Sequence, residues 1–217
     1  FCHNIANNLP IKINDSSKIL RLTYIDDVVN EIIRLVNLKV NGFSRLSVEP
    51  EYSISLGMLG EQIKSFKNSR SSLISEPVGT GLIRALYSTY VSYLSPENFS
   101  YILPENIDER GKFVEILKTT NCGQFSFFTA HPGVTRGGHY HHTKTEKFLV
   151  IKGSAHFKFR NITTNVTHEL FTSEDEFRVV ETVPGWTHDI TNIGNIEMIV
   201  ILWANEIFNS KLPDTIS

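Results

Sequence analysis

Cysteine is almost missing from this chain: Cys2 and Cys122 are the only two in 217 residues. They are too few and too far apart for a disulfide framework, so a small cross-linked secreted scaffold is excluded and a reducing cytoplasm is the expected compartment. Long apolar runs are missing as well. The longest, such as 196–204, is broken by Glu197 and is far shorter than a membrane span, so no membrane insertion is expected. Neither sign of charge is in excess: 21 Lys and Arg against 23 Asp and Glu give a formal net charge of −2, which offers no basic field for nucleic acid. No solenoid-length repeat and no low-complexity segment occurs. The chain opens at Phe1, without an initiator methionine and inside what reads as a helix, the pattern of a fragment or a processed product.

What is present falls into two textures. Short strands are expected at 11–13, 19–24 and 46–54. An amphipathic helix capped by Asp26 and Asp27 carries Val28, Val29, Ile32, Ile33 and Val36, and a second spans 56–66. Ser, Gly and Pro cluster at 69–81, the expected linker, and a helix with Tyr87, Tyr90 and Tyr93 follows at 82–94, its tyrosines read as packing. After Pro96 the pattern becomes short strands between turns, at 99–103, 112–119, 123–130, 139–142, 147–151, 155–162, 165–170, 176–180, 188–191 and 197–204. Such regular strands predict a β-sandwich or small barrel, filled by Phe125, Phe127, Phe148, Phe157, Phe159 and Trp203.

Within that region Gly133, His139, His141, Glu146 and Gly153 fall at G-x5-H-x-H-x4-E-x6-G, and 185–192 reads G-x2-H-x3-N. Alternate strand residues share a face, so His139 and His141 point one way and Tyr140 and His142 the other. Glu146 has the wrong parity for one unbroken strand, but the polar run 142–145 can turn the chain and bring its carboxylate back to the imidazoles. On the return strand Glu146, Phe148 and Val150 face inward, and Lys147, Leu149 and Ile151 outward. His188 supplies a fourth ligand from a later hairpin. Three imidazoles and a carboxylate suit zinc, iron, nickel or manganese, with zinc the leading expectation, and leave positions free for substrate. The competing reading is a solvated histidine-rich hairpin with Glu146 paired to Lys144 or Lys147.

The stretch RGGHYHHTKTEKFLV together with PGWTH resembles the cupin half of bacterial bifunctional enzymes of the CapF/WbjC type, and the resemblance covers the whole chain. It implies a mainly β chain. Residues 1–70, including TYIDDVVNEII, would be the end of a short-chain dehydrogenase/reductase domain, 71–95 a linker and helix, and 96–217 a cupin, the double-stranded β-helix. The activity implied is C3 epimerisation of a UDP-linked 4-keto-6-deoxy-N-acetylhexosamine for capsule or O-antigen precursors, with reduction at C4 by NADPH in the full family. NADPH is not expected here: Gly79-Thr-Gly81 lacks a third glycine and a preceding strand, and Tyr140 and Lys144 have the spacing of a reductase pair outside any nucleotide fold. A further departure is Pro184, which directly adjoins Gly185 and shortens the turn before His188.

Removing a proton beside a ketone requires both a base and stabilisation of an enolate. The candidate bases are Lys144, whose alternative is a solvated turn residue, and His139, because Arg136-Gly-Gly-His139 also resembles the Arg-Gly-x-His of metal-free deoxysugar 3,5-epimerases. A histidine bound to metal through its lone pair cannot accept a proton there, so the two roles of His139 compete. Arg136 is the candidate diphosphate contact, against a surface salt bridge, and Trp186 stacks on uracil or sugar, against core packing. Tyr140 and His142 are expected behind the site or at an interface, and His3, His131, His156 and His168 are structural or exposed. Leu149 and Ile151 suit a homodimer. Two other functions fit the same motif: an Fe(II) cupin dioxygenase, and a binding or dimerisation module that a metal only stiffens.

Overall fold

Helical and β-branched stretches interleave in the first third and fold as α1 (Cys2–Ala6), β1 (Ile19–Thr23), α2 (Ile25–Asn37), β2 (Glu51–Ser55), α3 (Leu56–Ser72), the short β3 (Ile74–Ser75) and α4 (Gly81–Val91). The computed structural model describes residues 1–38, 42–43 and 45–217. They divide into two units, Phe1–Ser72 with Glu76–Tyr101, and Leu73–Ser75 with Ile102–Ser217.

In the first unit β1 and β2 pair antiparallel. Leu59, Ile63 and Phe66 repeat at helical spacing along α3 and bury that face against Ile5 and Ala6 of α1 and Tyr90 of α4. Tyr87 and Tyr90 both lie beside Phe66 and are packing, whereas Tyr93, past the end of α4, is exposed and sits edge-on to His3. No strand forms at 11–13, where Ile11 instead packs on this cluster as loop. Asp26 and Asp27 lie in the first turn of α2 and do not cap it; Tyr24 holds that position without a side-chain bond, and the two carboxylates favour the helix through its dipole. The apolar stripe of α2, Val29, Ile32, Ile33 and Val36, is exposed. No helix among the described residues is long and apolar enough to cross a membrane.

The second unit continues with β4 (Glu105–Asp108), β5 (Gly111–Thr119), β6 (Gly123–Ala130), β7 (Thr135–His139), β8 (Glu146–Lys152), β9 (Ser154–Asn161), β10 (Thr167–Ser173), β11 (Val179–Glu181), β12 (Trp186–Asn192) and β13 (Met198–Ala204). One sheet runs β10-β9-β12-β7, the other β11-β8-β13-β6-β5-β3 with β4 on β5. All of these pairings are antiparallel except β3 on β5. The core between the sheets draws Phe128, Phe148, Val150, Met198 and Val200 from one and Ala155, Phe157 and Ile190 from the other. Burying each large side chain of this kind contributes about 1.5–3 kcal/mol. This is the jelly-roll sandwich expected.

Three aromatics expected in the interior lie elsewhere. Phe125 and Phe127 point outward on β6, because Gln124, Ser126, Phe128 and Ala130 hold the inner positions; Trp203 likewise points outward from β13 and donates its indole N–H to the Cys122 carbonyl at 3.0 Å. The strand expected at 99–103 is absent and β4 forms instead, fixed by the tight turn in which the Asp108 carboxylate accepts the Arg110 amide at 2.9 Å. Asn192, which closes the second histidine motif, is fully buried. Its amide donates to the Ala130 carbonyl at 2.9 Å and the Ile196 carbonyl at 2.8 Å, and its oxygen accepts the Gly194 amide at 2.9 Å. The Asn of that motif therefore pins the two sheets together and is no ligand.

Candidate metal centre

His139 ends β7 directly opposite His188 of β12, so register alone places two imidazoles side by side. The strands approach closely at that point because residue 137 is glycine: with φ at +98°, a Cβ there would lie 2.7 Å from the His188 carbonyl oxygen. Beyond His139 the chain keeps its alternation for two more residues although the ladder has ended. Tyr140 turns outward to pair with Ile216, and His141 turns in and is buried. The run 142–145 then reverses direction, and Glu146 enters β8 with its amide on the Thr182 hydroxyl at 2.8 Å. The short turn after Pro184 does not displace His188: Gly185 adopts a φ of +75° and donates its amide to the His141 carbonyl at 3.0 Å, tying the two motifs together.

The donor atoms of His139, His141, Glu146 and His188 thereby lie within 4.8 Å of one another, and all but His139 are buried. His141 Nε2 and His188 Nε2 stand 3.2 and 3.3 Å from the same Glu146 oxygen, Oε2. His141 Nδ1 faces the main-chain carbonyl of Asp214, which can only accept, so that nitrogen carries a proton. The neutral ring then presents a bare lone pair at Nε2 to a carboxylate oxygen that is also a lone pair. Either a second proton or a cation must lie between them, and the donor set of three imidazoles and one carboxylate fits a divalent cation.

Electrostatics favour the same set. Burial alone would raise the Glu146 carboxyl, but before an ion binds, hydrogen bonds from the facing His141 and His188 nitrogens, wherever those carry a proton, and the neighbouring Lys144 outweigh it and hold it below the usual range. Burial, followed by His188 and His141, pushes His139 down to about 4, so at neutral pH its ring is uncharged and its lone pair available. Lys144 Nζ lies 3.0 Å from Glu146 Oε1. The pairing of the competing surface reading thus exists, but in a buried setting: Lys144 is 8% exposed, and it is not a solvated turn residue.

Above these residues opens a cavity of about 470 Å³, its floor formed by His139, Glu146 and His188 and its wall by Phe113, Phe128 and Lys144. That volume lies within the range of small-molecule sites. Arg136 also lines it, stacked over the Phe128 ring at 5.2 Å with Nε donating to the Thr129 carbonyl at 3.0 Å. Its carboxylate neighbour Asp108 is 3.9 Å away, so Arg136 is a cavity-wall guanidinium rather than half of a tight surface pair.

Residues 106–216 match the polysaccharide biosynthesis C-terminal domain family. The chain belongs to that family. It is of the CapF/WbjC type, and its second unit is a cupin. The UDP-2-acetamido-2,6-beta-L-arabino-hexul-4-ose reductase of Pseudomonas aeruginosa is 59% identical over 215 residues, which is 99% of this chain and 58% of that protein. The capsular polysaccharide assembling protein CapF of Staphylococcus aureus is 39% identical with a TM-score of 0.91, over 99% of this chain and 63% of that one. CapF crystallised with the inhibitor 3-isopropenyl-tropolone gives 39% and 0.92, over 99% and 62%. The chain thus spans about three-fifths of the length of these relatives.

In this cupin Trp186 does not reach the cavity. It begins β12 two residues before His188 and lines a separate groove of about 290 Å³ with Phe159, Leu170 and Val183, so it is not placed to stack beside the His139–His188 cluster. His142 and Tyr140 stack edge to face, 5.5 Å apart and away from the ligands. His156 stacks on Phe171 and bonds Glu169, His131 faces Glu197, His168 lies beside Phe159, and His3 contacts Asn4 and Tyr93, all apart from the centre. Asn205, Asp214 and Thr182 hold the ligand turn from outside it, and nothing in their sequence spacing marked them.

Proposed function

We propose that His139, His141, Glu146 and His188 hold one divalent cation, with zinc the expected metal, and that the cavity above them epimerises C3 of a UDP-linked 4-keto-6-deoxy-N-acetylhexosamine. The observation that carries this reading is the meeting of three imidazoles and one carboxylate with a buried lysine, Lys144, on the wall of a cavity of about 470 Å³. A bound cation there supplies Lewis-acid stabilisation of the negative charge that develops on the C4 ketone oxygen, contributing several kcal/mol. Lys144 carries the C3 proton away and a solvent proton returns to the opposite face of C3, which completes the inversion; His139 acts as a ligand. Arg136, stacked and oriented by Phe128, receives the diphosphate, and Phe113 and Phe128 give the hexose an apolar wall. The P. aeruginosa relative is named for reduction of a UDP-linked 4-keto sugar, which supports the substrate class. The inhibitor named with CapF is a tropolone, a ketone beside an enolic oxygen, and that pair is a chelating group for a divalent cation. No NADPH and no reduction are assigned to these residues.

Incubating the zinc-loaded chain with the 4-keto UDP-sugar in D₂O should introduce deuterium at C3, read by NMR or mass spectrometry. Absence of exchange in folded, metal-loaded protein removes the epimerase reading. Oxygen uptake by the chain stripped of zinc and loaded with Fe(II) would establish the dioxygenase instead. A homodimer in the cytoplasm belongs to the same proposal: Ile151 is 47% exposed on the outer face it shares with Leu149, and a monomeric mass by light scattering would exclude the dimer.

A further inference from the structure

We propose that Asp214 is a positioning residue for the metal centre, its carboxylate and main-chain carbonyl together fixing the turn between His141 and Glu146 and the ring orientation of His141. The inference rests on the metal reading above and deepens it.

The turn 142–145 has no regular structure, and its amides do not bond within it. Asp214 Oδ1 accepts the His142 amide at 2.9 Å, and Oδ2 accepts the amides of Thr143 at 2.7 Å and Lys144 at 2.8 Å together with the Thr143 hydroxyl at 3.0 Å. The next amide, Thr145, donates to Asn205 Oδ1 at 3.0 Å, and the Asn205 amide returns to the Thr145 carbonyl at 3.1 Å. Two-way pairing of Tyr140 with Ile216, at 2.9 and 3.0 Å, fastens the tail on the other side of Asp214. Every amide from His142 to Thr145 is therefore held by residues 205–214, in the turn whose two ends are ligands and which carries Lys144.

The Asp214 carbonyl does a second task. By accepting from His141 Nδ1 it selects the tautomer whose Nε2 lone pair faces the centre, and a hydrogen bond on the far nitrogen raises the basicity of a ligating imidazole. A carboxylate that collects three successive amides is a preorganised scaffold: it fixes the spacing of His141 and Glu146 before any ion arrives.

The test uses the full chain, stripped of metal and titrated with zinc against a chromophoric chelator. Asp214→Ala is expected to raise the zinc Kd by about 10–100-fold, the usual consequence of removing a partner behind the ligands. Asp214→Asn, which keeps an acceptor oxygen, should fall between. In both metal-free variants the amides of Thr143 and Lys144 should exchange with solvent faster than in wild type. A role confined to general stability would lower the melting temperature of the metal-free chain and leave the zinc Kd unchanged; that result, or unaltered amide exchange, overturns the proposal. Wild-type chain that binds no zinc would take down the metal reading and this inference together, whereas wild-type and Asp214→Ala chains binding equally well overturn this inference alone.

Discussion

Glu146→Gln is expected to abolish stoichiometric zinc retention, weakening affinity by more than about 100-fold, beyond the effect usual for residues behind a ligand. The reason is charge. Glu146 is the only anionic donor in the set, and a neutral amide offers one weaker oxygen to the cation while its N–H₂ faces imidazole nitrogens. The metal-free protein should suffer too. Lys144 and Glu146 are both buried with 3.0 Å between them, and removing one member of such a pair leaves an uncompensated ammonium at a cost of about 3–5 kcal/mol. The acid dependence of stability separates these effects. The folded carboxyl lies below its unfolded value, so in wild type its contribution is fully present above the unfolded pKa of about 4.3 and is lost as pH falls through the folded one. Glu146→Gln should lack that acid-side loss. Metal content by elemental analysis, with thermal unfolding of the stripped chain across pH, checks both; full zinc retention in the variant would remove Glu146 from the ligand set.

The grouping of His139, His141, Glu146 and His188 was legible because strand periodicity is a strong constraint. His139 and His141 share a face by parity alone, and Glu146, Phe148 and Val150 follow on the return strand in the phase expected. What parity cannot encode is which long-range partner holds an irregular turn. Asp214 lies 70 to 73 residues beyond the groups it binds, and one Asp before a Thr in a polar tail looks like any solvated residue. The inversion of β6 has a different cause. Phe125 and Phe127 suggested the interior by hydrophobicity, but the inner face of that strand lines a cavity with Gln124 and Ser126, and the two aromatics take the alternate, outward positions. Trp186 shares inward parity with His188, yet two residues along a strand are about 7 Å, enough to move it into another groove. In the first unit the stripe of α2 was visible by its period, but a period specifies an apolar face without specifying what covers it.

Lys144→Ala should slow deuterium incorporation at sugar C3 by about 10²–10⁴-fold, the range for a positioned general base, while zinc content stays near that of wild type. That corresponds to roughly 2.7–5.5 kcal/mol of transition-state stabilisation. The retention of metal follows from geometry. Lys144 contributes no donor to the cluster, and a cation on Glu146 replaces the ammonium as the partner of that carboxylate, so the variant loses the proton carrier without losing the ligands. His139 is the rival for the same proton, and the two variants give opposite patterns. If Lys144 is the base, His139→Ala weakens zinc binding, and exchange falls in step with occupancy and returns at saturating metal. If His139 is the base, Lys144→Ala keeps wild-type exchange, and His139→Ala retains zinc on three protein ligands yet stays inactive at any zinc concentration. The measurement is the C3 exchange rate at saturating substrate as a function of added zinc for both variants. Wild-type exchange in Lys144→Ala assigns the proton to the histidine and leaves the ammonium as a counter-charge for Glu146.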